Sequence, residues 1–252
     1  MNTILLVLAV LPVVVLAVYV YVQDKQQKEP VGMLLKAFLF GILSILPAIL
    51  LETVLALFTP GVPVADGLYT GFVVAGFSEE LCKLVMLRWA VWKSRAFDEY
   101  FDGIVYATFV SLGFACVENI QYVFLQDTFY SSLSTGAMRA LLSVPGHFLF
   151  GVVMGYFFAL ARFEPSHRSL NLTLALIAPM LLHGTFDALL MVPDNMSLKS
   201  NGLHATLFVA FICFDLWMWK IGKKRLRRLQ ALSADQMQHR AQNDLSSLHW
   251  DL

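Results

Sequence analysis

Seven ionisable side chains and one amide lie inside apolar stretches, where charge is costly. Glu79, Glu80 and Lys83 share one stretch, and Glu118 and Asn119 a second. His147 lies in a third, and His183 and Asp187 in a fourth. A desolvated glutamate is a competent general base toward water. An imidazole can polarise a carbonyl or stabilise an oxyanion. Two histidines with several carboxylates also make a zinc-type donor set, although no HExxH run is present. Helical spacing supports the grouping. Lys83 follows Glu79 by four residues and Glu80 by three, so it can neutralise either carboxylate on one helix face. Glu80 lies about 100° around the helix from Glu79, so one can face a cavity while the other packs or pairs. Asp187 follows His183 by four residues and can orient its ring. Both glutamates satisfy every spacing, so the choice of base stays open.

The elements that hold these residues are membrane helices. Of the 252 residues, 58% are apolar and 14% charged, against about 25% charged in soluble domains. The formal net charge is zero, which argues against a nucleic-acid surface. Spanning the hydrocarbon takes about 20 apolar residues of helix. Seven runs qualify: Ile4–Val22, Leu34–Phe58, Leu68–Trp92, Phe101–Leu125, Met138–Ala161, Leu172–Val192 and Leu203–Ile221. Thr59-Pro60-Gly61, Pro165 and Pro193-Asp194-Asn195 mark turns between them. The expected fold is an all-α polytopic bundle over residues 1–221, followed by a basic tail, 222–252. The first run has no basic residue before it and no Ala-x-Ala site after it, which favours a retained helix over a cleaved signal. Cys82, Cys116 and Cys213 are isolated in apolar runs and read as packing residues. Gly151 and Gly155 read as a close helix crossing. Glu52 and Asp215, near helix ends, read as interface residues.

Basic residues alternate between loops. Lys25 and Lys28 follow the first run, Lys93 and Arg95 the third, Arg162 and Arg168 the fifth, and a cluster from Lys223 to Arg228 the seventh. The other loops hold only Lys199. The positive-inside rule then puts the N-terminus outside and the C-terminus in the cytoplasm. With that direction, Glu79, Glu80, Glu118, His147 and His183 lie about 10–18 Å below the outer surface at 1.5 Å per residue. Four helices thus bring acids and imidazoles to one layer, which points to a shared cavity. Asn119 reads as interhelical glue.

The motifs resemble a known family. Glu79-Glu80-Leu81-Cys82-Lys83 matches EExxK, Phe114 to Glu118 matches FxxxE, and His183 to Asp187 matches HxxxD. Pro145-Gly146-His147, with Gly155 and Tyr156 after it, also fits. Their order and spacing are similar to the PrsW family of intramembrane proteases, distant relatives of the CAAX prenyl endopeptidases and the Abi proteins. The resemblance covers roughly residues 67–190. It implies cleavage of a single-pass, membrane-anchored substrate such as an anti-sigma factor, near the extracytoplasmic side of a bacterial membrane.

The expected chemistry is peptide hydrolysis by activated water. Glu79 or Glu80 is the base, with Glu118 the next choice and His147 or His183 at the carbonyl. Lys83, Asn119 and Asp187 support them. Metal-free hydrolysis is favoured over zinc held by Glu80, Glu118, His147 and His183. A proton-coupled transporter or channel would also line a cavity with such groups, but it more often shows repeat halves, and none is visible. A scaffold using the polar groups only for packing is the other rival.

Overall fold

The computed structural model describes residues 2–195 and 201–248. Lys199 lies outside the described residues. The described chain is helical throughout: α1 (Asn2–Gln23), α2 (Val31–Ala56), α3 (Pro63–Tyr69), α4 (Ser78–Val91), α5 (Tyr100–Phe124), α6 (Phe129–Met138), α7 (Val144–Phe163), α8 (Arg168–Asn195) and α9 (Asn201–Leu248). Two π-helical segments join neighbours without a break, Thr70–Phe77 between α3 and α4 and Arg139–Ser143 between α6 and α7.

Six described helical stretches are long and apolar enough to cross a membrane. The run from Pro63 to Val91 completes the bundle. It is long enough to span but carries Asp66, Glu79, Glu80, Lys83 and Arg88, which lower its hydropathy. Burial sorts the helices into layers. In the α6–α7 stretch 94% of the most apolar window is buried, and in α5 78%, against 22% for both α1 and α9. Thus α5 and α7 form the centre, and α1, α2 and α9 turn apolar side chains such as Val15, Leu46 and Leu216 outward. Outward apolar faces suit lipid rather than water.

Small residues set the close crossings. A Cβ on Gly151 would lie 2.9 Å from the Ser111 Cβ and 3.0 Å from the Thr108 Cα, so α7 meets α5 there backbone to backbone. Gly71 and Gly76 play the same part against α8. A Cβ on Gly71 would lie 2.8 Å from the Ala188 nitrogen and 2.9 Å from the Gly184 oxygen.

Several boundaries differ from the sequence expectation. The fifth span begins at Phe129 rather than Met138, because Thr128 and Ser131 form a capping box that starts the helix earlier. Helix α8 continues through Pro193 to Asn195, where the sequence predicts a turn. The basic segment after Ile221 continues α9 without interruption to Leu248. Its polar part docks back on the bundle: Phe101 N donates to Ser233 Oγ (2.8 Å), and Gln230 Nε2 donates to the Gln23 carbonyl (2.6 Å). Arg162 lies over the Trp92 ring and Arg225 over Tyr156. The basic loops and the basic stretch of α9 therefore gather at one end of the bundle, as their alternation in sequence requires.

Candidate active site

The two π-helical segments each end just before a site residue. Pro145 explains one of them. It has no N–H, so the helix cannot close its ladder there, and the turn before it widens. His147 follows two residues later. The other segment, with Gly71 and Gly76 pressed against α8, ends at Phe77 and delivers Glu79 and Glu80 on the first turn of α4. Interruptions of this kind recur at functional sites.

These elements bring seven of the eight expected residues into one polar cluster. Lys83 is fully buried and donates to Glu79 Oε2 (3.0 Å) and Glu80 Oε1 (2.8 Å). Its Nζ also meets His147 Nδ1 at 3.2 Å. An ammonium only donates, so Nδ1 is the acceptor and the His147 proton sits on Nε2. That nitrogen donates to Glu118 Oε2 at 2.7 Å. On α8, His183 Nδ1 donates to Glu80 Oε1 (2.9 Å), and its Nε2 faces Asp187 Oδ2 (3.3 Å). The His183 ring stacks on Phe150, with centroids 4.7 Å apart. The two imidazoles stand nearly perpendicular, 5.2 Å apart. Four helices converge, as their shared depth in sequence anticipated.

Asn119 is the eighth, and its position is structural. It is fully buried, and its Nδ2 donates to the Ala9 carbonyl of α1 (2.7 Å). Its Oδ1 accepts from Arg139 Nε (2.9 Å).

A cavity of about 490 Å³ opens beside the cluster. Glu79, Glu118, His147, His183 and Asp187 line it, whereas Glu80 and Lys83 lie behind its wall. The two glutamates thus divide as their 100° separation allows. Glu79 faces the cavity, and Glu80 ties Lys83 to His183.

Two wall residues escaped the sequence reading. Arg139 meets Glu118 Oε2 at 3.0 Å and lies over the Tyr122 ring. Its signal was its spacing: Arg139, Ser143 and His147 recur every four residues, and all three line the cavity. Glu52 also lines the cavity. In the sequence it reads as an interface residue because it lies near the end of its apolar run.

The set can also be tested for a metal. Donor atoms of Glu79, Glu80, His147 and His183 lie within 4.8 Å of one another. Two imidazoles and two carboxylates fit a zinc-type ion. This set differs from the one expected from sequence, with Glu79 in place of Glu118, which instead pairs with Arg139 and His147. The Lys83 ammonium already touches three of these four residues.

Comparison with known proteins shows the family to which the chain belongs. Residues 29–217 match the family model described as PrsW family intramembrane metalloprotease. Protease PrsW of Clostridioides difficile (strain 630) is 33% identical over 226 residues, covering 89% of this chain and 90% of that protein. Protease PrsW of Bacillus subtilis (strain 168) is 33% identical over 227 residues, covering 90% and 95%. Protease PrsW of Geobacillus kaustophilus (strain HTA426) is 38% identical over 186 residues, covering 74% and 79%. No solved structure matches the chain. The apolar helices and these bacterial relatives make it a multi-pass bacterial membrane protein, and the chain belongs to the PrsW family of intramembrane proteases.

Proposed function

We propose that this protease hydrolyses a peptide bond of a single-pass membrane protein, of the anti-sigma-factor type, near the extracytoplasmic side, using water activated by Glu79. The observation that carries this reading is the division of the glutamate pair Glu79 and Glu80, because of these two Glu79 alone lines the cavity. Its carboxylate takes a proton from water, and the hydroxide attacks the carbonyl carbon. The oxyanion is stabilised by an imidazole N–H of His147 or His183, which must exchange its present carboxylate partner, Glu118 or Asp187, for the oxyanion as the substrate enters. Glu79 then returns the proton to the amide nitrogen as the C–N bond breaks. Glu80 and Lys83 hold the charge balance behind the wall. Asp187 orients His183, and Glu118 orients His147. Arg139, which also lines the cavity, fixes Glu118.

The four-residue donor set favours a second reading. In it, Glu79, Glu80, His147 and His183 hold a divalent ion, which would lower the pKa of bound water and polarise the carbonyl. Metal analysis of the purified protein, with and without chelator, separates the two.

The main test uses proteoliposomes containing a tethered transmembrane substrate. Glu79→Gln is expected to abolish cleavage and retain the substrate in a pull-down. Cleavage at the wild-type rate by Glu79→Gln ends the reading. Proton or solute flux by the wild type without any cleavage would favour a transporter instead.

A further inference from the structure

A second polar cavity, of about 310 Å³, lies at the other end of the bundle, where α1 meets α9. Lys25, Lys223 and Arg227 line it, with Gln23 and Gln230 between them and Tyr19 and Leu226 as its apolar part. All three cations are exposed, and none makes a hydrogen bond, ion pair or ring contact among the described residues. The neighbouring acid, Asp24, is fully buried and turned away from solvent. The neighbouring Lys28 is engaged by the carbonyls of Tyr21, Val22 and Asp24. Three positive groups without a partner among the described residues thus surround one concavity that no described acid fills.

The cavity also lies at one particular depth. The apolar run of α1 ends at Val22, and that of α9 ends at Ile221. Both runs give way to polar residues at the rim. Toward the hydrocarbon, Val15 and Val22 on α1 and Leu216 and Trp217 on α9 are exposed, with Val15 at 56% and Val22 at 61%. A ligand seated there would meet cations at one end and lipid-facing apolar surface at the other. Tyr19 has the amphipathic character that suits this boundary.

We propose that this cavity binds the phosphate headgroup of an anionic phospholipid, with Lys25, Lys223 and Arg227 as its ligands and the acyl chains lying along the outward faces of α1 and α9. Basic pockets between membrane helices recognise such headgroups through charge together with adjacent apolar surface. The amide pair Gln230 and Gln23 (2.6 Å) ties the end of α1, which Lys25 follows, to α9, which carries Lys223 and Arg227, so occupancy of the cavity would clamp α9 to α1. The site is separate from the hydrolytic cavity and does not depend on how that cavity works.

The test uses the full chain, delipidated in detergent, with native mass spectrometry of lipid adducts. Phosphatidylglycerol and phosphatidylcholine are added in turn. The wild type is expected to hold one phosphatidylglycerol at least tenfold more tightly than phosphatidylcholine. Each basic residue near a membrane surface contributes about fivefold, so the triple change Lys25→Gln, Lys223→Gln and Arg227→Gln is expected to weaken that adduct about a hundredfold. Lys93→Gln with Arg95→Gln, basic residues of a different loop, serves as the control and is expected to leave it unchanged. Should the triple variant fail to fold, Arg227→Gln alone is expected to give about a fivefold loss. Equal affinity for the two lipids, or equal loss in the control, overturns the proposal. Full competition by millimolar inorganic phosphate also overturns it, since the cavity would then recognise free phosphate rather than a lipid.

Discussion

Lys83→Met is the most informative single change at the candidate active site. It keeps an unbranched stem of similar length and removes only the ammonium. Lys83 is fully buried and donates to two carboxylates, so the change strands negative charge away from water. The two carboxylates do not suffer equally. Glu80 keeps His183 Nδ1 at 2.9 Å, whereas Glu79 is left with the same nitrogen at 3.9 Å. Removing one partner of a buried pair typically costs about 3–5 kcal/mol, and the stranded charge here belongs mainly to Glu79. The ammonium also lies 4.1 Å from the Phe114 ring centroid, a contact worth about 0.5–2 kcal/mol that methionine partly replaces. The single variant should therefore lose about 4 kcal/mol.

The double variant Lys83→Met/Glu79→Gln decides the cause. If the cost is the stranded carboxylate, neutralising it recovers about 2–3 kcal/mol, and the double variant is more stable than Lys83→Met alone. Equilibrium unfolding in mixed micelles, followed by tryptophan fluorescence, measures all four corners of the cycle. A double variant as unstable as the sum of its singles would refute the reasoning. So would a Lys83→Met protein within about 1 kcal/mol of wild type.

Three further outcomes are expected. Gly71→Ala places a methyl group against the backbone of Ala188 and Gly184, so α8 must shift away from the π-helical segment and carry His183 with it. Cleavage should fall at least about tenfold, because displacements of this size misalign reacting groups, and rescue by a smaller neighbour at Ala188 should be incomplete; wild-type turnover would show that the crossing tolerates the change. Arg139→Gln should lower kcat by about tenfold or more with little change in substrate retention, since Glu118 then holds His147 without its cation; an effect confined to KM would make Arg139 a binding residue only. At the opposite end, burial pushes Glu29 up to about 8 and Asp24 up to about 6. Tyr106 OH donates to Glu29, and Lys28, Asp98, Glu99 and Asp102 complete the charged groups around them. Both acids hold protons in the folded protein that the unfolded chain would release near pH 4. Their stabilising contribution is therefore full below about pH 4 and is lost as pH rises through 6 and then 8. Hydrogen exchange at residues 24–29, corrected for intrinsic rate, should accelerate between pH 5 and 9, and unchanged protection across that window would contradict the assignment.

Much of this was legible in the sequence because lipid simplifies the reading. Charge inside an apolar run has few structural uses, so Glu79, Glu80, Lys83, Glu118, His147, His183 and Asp187 identified themselves, and the direction of the helices placed them at one depth. What stayed hidden depends on local backbone departures and on side-chain direction. Glu79 and Glu80, four and three residues before Lys83, can both reach it in an ideal helix, and only the packing of α4 against α8 turns one toward the cavity and the other behind its wall. Arg139 lay at the edge of an apolar run, where a cation ordinarily reaches water. The Thr128 capping box starts the helix earlier and puts Arg139 inside it, with its side chain against Glu118 and Tyr122.

The two π-helical segments connect these observations. In a regular α-helix, residues 139, 143 and 147 would drift about 40° per four-residue step across one face. A widened turn before Val144 allows Arg139, Ser143 and His147 to line the same wall. The segment at Thr70–Phe77 acts likewise, so that Thr70, Val74 and Glu79 share the cavity although they are separated by four and then five residues. Pro145 sets the first of these departures through its missing donor. Gly71 and Gly76 permit the second through the close approach of α8. The residues that shape this site therefore include a proline and two glycines with no chemistry of their own. Straightening either segment should scatter the carboxylates and imidazoles while leaving every one of them in place in the sequence.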